Sequence, residues 1–152
     1  MSKKIDYRYK ACGLDNVIIV DMPVVEDDSG EMVIGIPNIK GLHMVLAHCI
    51  IVQPSALRGA DIRFLRTEIG MTQAQLAEIL HKDTQSVGRW ERGECPVDQT
   101  AEILIRKLVT EKLQLETRLT VEELSKFSFQ ASEATCIEID GSRPGDYKPI
   151  AA

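Results

Sequence analysis

The stretch from Met71 to Gly93 constrains the fold more tightly than any other part of this chain. Thr72 is a good N-cap, with a hydroxyl placed to accept an amide N–H of the first turn. It opens a helix that carries Gln73 to Leu80. A second cap at Asp83 or Thr84 opens another helix, and Gly93 stands where a glycine closes a helix in the left-handed conformation. Leu76, Ala77 and Leu80 face inward, and Ala77 is small because the two helices cross closely there. Val87 and Trp90 close the core from the second helix at the spacing of one buried stripe. Thr84, Gln85, Ser86 and then Arg89 remain, pointing outward on one exposed face.

The flanking sequence extends the helical reading. A helix runs from about Gly59 to Ile69, with Ile62, Leu65 and Ile69 inward and Asp61 in the first turn, where the helix dipole favours an acid. Another begins after Pro96, with Asp98 as its cap, and continues to about Leu115. Thr120-Val121-Glu122-Glu123 fits a capping box for a further short helix. The first third differs. Val17 to Val20 and Met32 to Ile36 are β-branched runs around the acidic turn 26–30, the pattern of a hairpin with a long loop. Pro37 ends the second run because it has no N–H to donate. Leu42, Val45, Leu46, Cys49 and Ile50 recur at three- and four-residue spacing, which predicts an amphipathic helix from 41 to 53, stopped by Pro54. From Phe129 onward the sequence is small, polar and Gly/Pro-containing, and is expected to be mostly disordered. The fold class is therefore α+β. A small hairpin-plus-helix unit over 1–54 is followed by an all-α domain over 55–116, a short helix over 117–128 and a tail over 129–152.

The 71–93 window resembles the phage-repressor-like (Xre) helix-turn-helix family along its whole length. The resemblance implies a five-helix-type domain whose helix 84–92 enters the major groove of double-stranded DNA with its N-terminal residues on base edges. Thr84, Gln85, Ser86 and Arg89 become the base-reading candidates, Gln85 and Arg89 foremost, since Gln pairs bidentately with adenine and Arg with guanine. Thr72, Gln73, Lys82 and Arg92 are the candidates for the DNA backbone, and the resemblance places Glu91 in an internal polar bond. A narrower resemblance joins Tyr9 to Val17, Gly41-Leu42-His43 and Gly59 to Arg66. These segments are similar to antitoxins that couple an N-terminal zinc-binding domain to a C-terminal helix-turn-helix. Two departures stand out: the paired CxxC zinc motifs are absent, only Cys12 occupying such a position, and Arg58 replaces the usual Ser/Thr helix cap.

Composition excludes several other classes. The net charge is −5, but residues 56–112 carry nine Lys/Arg against nine Asp/Glu, so the excess acid lies outside that segment. A neutral segment binds DNA only if its bases share one face, and its affinity is expected to be modest and salt-sensitive. No apolar run approaches the ~18–20 residues of a membrane span, and no signal peptide is expected, so the reading is a cytoplasmic chain. Cys12, Cys49, Cys95 and Cys136 lie far apart and read as free thiols. Cys12, His43, His48 and Cys49 invite a zinc site, but His43 and His48 fall on different helix faces and Cys49 on the apolar stripe; no metal and no cofactor are expected. The cluster 26–28 lacks the alternating ligand pattern of a calcium loop. There is no Gly-rich phosphate loop, no nucleophile elbow and no His-Glu-x-x-His, so no enzyme is expected.

Leu104, Ile105, Leu108, Val109, Leu113 and Leu115 offer more apolar surface than one helix needs for its own bundle. They suggest the seam of a homodimer, extended by Leu119, Val121 and Leu124, and hence a repressor reading palindromic half-sites about one DNA turn apart. The competing reading is an antitoxin-like interaction module. In that reading the hairpin and helix dock a toxin protein partner and DNA binding is secondary.

Overall fold

The computed structural model describes residues 3–129 and 135–150. The chain divides into two compact units: residues 1–46 together with 135–152, and residues 47–134. The architecture is α+β, an N-terminal strand hairpin followed by six helices. No helix among the described residues is long and apolar enough to cross a membrane.

The first unit is a sheet of β1 (Lys3–Arg8), β2 (Val17–Glu26), β3 (Met32–Val33), β4 (Ile137–Asp140) and β5 (Lys148–Pro149). Its order is β1-β2-β4-β5, with β3 on the far end of β2. The hairpin around the acidic loop forms, but it is shorter than the β-branched runs predict. Only Val25 and Glu26 pair with Val33 and Met32, while Val17 to Val20 lie between β1 and β4. Asp27 builds the loop by accepting from Ser29 N (2.9 Å), Ser29 Oγ (2.7 Å) and Glu31 N (2.9 Å). Those bonds, the Ser29 hydroxyl first, hold its carboxyl below the usual range. Along β2 the buried residues are Val17 and Ile19, then Met22 and Val24. Alternation slips by one because the β1 register jumps between Ile5 and Tyr7 while β2 runs from Met22 to Ile19. The extra residue is Asp21, at φ 56, whose amide donates to Asp6 Oδ1. This is a β-bulge, which keeps both halves of the strand facing one core.

The tail expected to be disordered is instead part of this sheet. Val17 to Val20 pair in parallel with Ile137 to Asp140, and β5 closes on β4. Ile139 is fully buried, and Tyr147 is buried with its hydroxyl donating to the Pro37 carbonyl at 2.6 Å. A β-carbon on Gly141 would collide with Ile19 Cγ2, so the chain passes this close to β2 only because residue 141 has no side chain. The alternation Ile-Glu-Ile-Asp over 137–140 is a strand pattern. The polar, Gly/Pro-rich surroundings outweighed it in the sequence reading. Residues 130–134 and 151–152 of that tail lie outside the described residues. The expected division at residue 54 is also revised: it falls inside α1 (Ile39–Val52), between residues 46 and 47.

The second unit holds α2 (Gly59–Glu68), α3 (Gln73–Leu80), α4 (Thr84–Glu91), α5 (Gln99–Lys112) and α6 (Val121–Phe129). Caps set the boundaries. Thr72 Oγ1 accepts from Gln75 N (3.1 Å) while Gln75 Oε1 accepts from Thr72 N (2.9 Å), a reciprocal box. Asp83 Oδ1 accepts from Ser86 N, and Asp98 Oδ2 from Ala101 N. Arg58 succeeds as an N-cap residue because Asp61 reaches back to its backbone N–H at 2.9 Å. Gly93, at φ 72, donates to the Trp90 carbonyl and Glu94 donates to Arg89, the paired bonds of a Schellman ending. Ile62, Leu65, Leu76, Ala77, Leu80, Val87 and Trp90 are buried as the spacing predicts, joined by Phe64, Ala101, Ile105, Val109 and Leu124. Gly59 has a packing reason: a β-carbon there would strike the carbonyl oxygens of Trp90 and Glu91, where α2 meets the end of α4.

Arg106 and Glu102 are fully buried on α5. The Arg106 guanidinium donates to the carbonyls of Ile51 (2.9 Å), Gln53 (2.9 Å) and Ser55 (2.6 Å), and to Glu102 Oε1 (2.8 Å). Glu102 Oε1 also accepts from Leu57 N (3.0 Å), and the Phe127 ring lies 5.8 Å from Arg106 Cζ. This pair therefore satisfies the backbone of the irregular segment that leads into α2, which would otherwise be buried unbonded. Arg106→Met strands both the Glu102 carboxylate and three carbonyls. It should cost roughly 3–5 kcal/mol of stability, measured by urea unfolding with Trp90, the single tryptophan, as the fluorescent reporter. A loss below about 1 kcal/mol would show that the segment finds other partners.

Candidate nucleic-acid interface

Two helices joined by residues 81–83 present the candidate site. The turn depends on His81, at φ 56, a left-handed conformation that non-glycine residues seldom take. Its amide bonds back to α3, and Lys82 N donates to Ala77 O at 2.9 Å. Asp83 then caps α4. Bonds from Ser86, the backbone N–H first, hold its carboxyl below the ordinary value, with the Arg89 charge contributing.

α4 divides cleanly into two faces. Val87, Gly88 and Trp90 are buried, while Thr84, Gln85 and Arg89 are exposed and Ser86 is half-buried. A cleft of about 400 Å³ between α3 and α4 is lined by Gln73, Thr84, Gln85, Gly88, Arg89 and Arg92. It gathers five of the eight residues singled out from the sequence. The other three stand apart from its lining. Thr72 is occupied as the cap of α3, Ser86 has its amide on Asp83, and the Lys82 ammonium sits 3.8 Å from Asp98 on the surface. Gly88 was not foreseen, since a residue without a side chain gives no chemical signal in a sequence.

Charge in the cleft is set by neighbours. Arg92 clasps Glu94 through Nε to Oε1 (2.9 Å) and Nη2 to Oε2 (3.3 Å). The clasp raises the Arg92 pKa and lowers that of Glu94, which Arg89 lowers a little further. The Arg89 guanidinium makes no hydrogen bond among the described residues. Behind the cleft, Glu91 is nearly sealed, its side chain 3% exposed. Arg66 grips it with Nε to Oε2 at 2.6 Å and Nη2 to Oε1 at 3.0 Å, and its Nη1 donates to the Met71 carbonyl. Gln73 Nε2 donates to Glu91 Oε1 at 3.1 Å. Glu91 is thus internal, as expected, but its partner Arg66 was not identified from the sequence. The hydrogen bonds that Arg66 donates to Glu91 raise the Arg66 pKa.

The residues weighed as metal ligands are otherwise engaged. His43 Nε2 is 2.8 Å from Tyr9 Oη, and His48 Nε2 is 3.2 Å from the Glu116 carbonyl. Cys49 is half-buried, and burial pushes its thiol pKa up. Among the described residues no three His, Cys, Asp or Glu side chains come together as a metal site.

Residues 62–108 match the family model described as helix-turn-helix. Neither the curated proteins nor the solved structures yielded a match to the chain. The matched span begins inside α2, contains both helices of the cleft and ends inside α5. Residues 62–108 are a helix-turn-helix domain of the Xre type, and the chain is on that basis a DNA-binding transcription regulator.

Proposed function

We propose that this regulator is a dimeric repressor that reads palindromic DNA half-sites with α4. The observation that carries the reading is the cleft itself: an exposed face holding Thr84, Gln85 and Arg89, backed by a buried apolar core and bordered by Gln73 and Arg92. Gln85 and Arg89 are the base readers, with Thr84 and Ser86 beside them at the amino end of the helix. Gln73, Thr72, Lys82 and Arg92 meet the sugar-phosphate backbone, which fixes register but not sequence. Lys82 reaches phosphate by exchanging Asp98 for it, since that ion pair is exposed and weak. Arg92 reaches it while paired with Glu94, through the guanidinium nitrogen that Glu94 does not bond. Repression then follows by occlusion of a promoter, without chemistry, in the cytoplasm.

The dimer reading rests on apolar surface left over from the bundle. Ile105, Val109 and Leu124 are buried within their own unit and drop out of the seam. Leu104 (44% exposed) and Val121 (57% exposed) remain, with Leu108, Leu113, Leu115 and Leu119 half-buried.

A second reading is protein docking by the first unit, in the manner of an antitoxin with its toxin. One observation favours it: Val25, Met32, Val33, Ile34 and Ile39 are exposed, and Val25 and Val33 help line an apolar groove of about 460 Å³.

Gel-shift assays with the gene's own upstream DNA separate the two. Specific, salt-sensitive retardation is expected, and Arg89→Ala should weaken it by about 1–3 kcal/mol at the specific site while leaving non-specific binding less affected. No retardation, with a stable complex formed with a neighbouring gene's product, would favour the docking module. Sedimentation at micromolar concentration should give a dimer that Leu104→Glu converts to monomer. A wild-type monomer would remove the palindrome.

A further inference from the structure

We propose that Gly88 is a positioning residue for DNA contact, holding the cleft open so that Arg92 projects one guanidinium nitrogen across α4 toward the phosphates; this rests on the reading of the cleft as the DNA surface.

Gly88 sits in the interior of an eight-residue helix, where glycine is less favourable than alanine. The fold does not ask for it there. Its φ is not among the positive ones, unlike those of Gly13, Gly30, Gly70 and Gly93. A β-carbon at residue 88 would meet no backbone within 4 Å among its three nearest neighbours, only Arg92 Nη1 at 3.0 Å, Gln73 Oε1 at 3.5 Å and Arg92 Cζ at 3.8 Å. The contrast with Gly59 is direct. There the obstacle is the carbonyl oxygens of Trp90 and Glu91, which cannot step aside. At Gly88 every obstacle is the mobile end of a side chain that lines the candidate interface.

The geometry of Arg92 explains what the gap is for. Its Nε and Nη2 are held by Glu94. Nη1 is the nitrogen left over, and it lies over Gly88, next to Gln73 and within the cleft. Glu94 grips one edge of the guanidinium, while Gly88, buried beneath it, leaves room for the other. A planar fork held in this way loses less freedom on binding than a loose one. A methyl group at residue 88 would make Nη1 give way by a few tenths of an ångström, enough to spoil the geometry of a hydrogen bond to a phosphate oxygen.

The test uses the full chain and a labelled random-sequence DNA duplex, because a phosphate contact is independent of sequence. Gly88→Ala should raise Tm by about 2–4 °C, since the helix gains a better residue. It should also weaken duplex binding roughly five- to tenfold at 0.1 M salt and lower the slope of log K against log salt by about 0.9, one phosphate contact's worth. Arg92→Ala should give a similar loss, and the double variant should be no weaker than Arg92→Ala alone. Wild-type affinity and slope in Gly88→Ala would overturn the proposal, as would additive losses in the double variant. Failure of Gly88→Ala to fold would overturn it too, because glycine would then be structural. A wild-type chain that binds no duplex at low salt would remove the functional reading beneath the proposal. That result is distinct from a wild type that binds no better than Gly88→Ala.

Discussion

The carboxylate of Glu91 is the point on which the second unit turns. A charge so nearly sealed from water is costly unless fully engaged. Arg66 engages it with two parallel bonds, and Gln73 adds a third. The three residues come from α4, α2 and α3 respectively, so one polar node ties together the helices that make and brace the cleft. Apolar packing of Leu76, Ala77, Val87 and Trp90 brings α3 and α4 together, but it would tolerate small rotations. A bidentate guanidinium–carboxylate pair tolerates far less. The node also dictates how Gln73 is presented. Glu91 accepts only, so the amide nitrogen must face it, and the Gln73 carbonyl oxygen is the atom left nearest position 88. One residue thus serves both the frame and the surface.

The helical half was legible because its signals are local. Thr72, Asp83, Asp98 and Thr120 cap helices with bonds that span only three residues, and apolar spacing of three and four reports directly on burial. Three features were not legible, for different reasons. Glu102 and Arg106 have the i,i+4 spacing of an ordinary solvent-exposed pair. Only their place on the same stripe as Ile105 and Val109 hinted at burial, and their partners lie some fifty residues away. The phase slip in β2 was written as a lone aspartate within an apolar run, but where a bulge falls depends on the partner strand. The C-terminal strands needed Val17 to Val20 as a template: the short alternation over 137–140 marks a strand but says nothing of a partner more than a hundred residues away. Within the site, the exposed polar row could be read from the sequence. The gap at Gly88 could not, because it is defined by what surrounds it.

The helix-turn-helix is, in sequence, an insertion between two parts of one sheet. The chain lays down β1, β2 and β3, runs through all six helices, and returns with β4 beside β2. A parallel pair cannot be closed by a tight turn, and here the whole helical segment serves as the connection. The consequence is energetic. The central strand gains its second neighbour only after residue 137 is in place, and Ile139, Gly141 and Tyr147 complete a core whose other members all precede residue 47. Residues 3–26 and 137–149 therefore depend on each other for stability, whereas the helix caps and the Glu91 node join segments that lie close in sequence. Cutting the chain near residue 129 would strip the sheet of two strands and expose Val17 and Ile19. The same cut would leave every cap, the Glu91 node and the lining of the cleft intact, so the capacity to form the DNA-facing surface resides in residues that are contiguous in sequence.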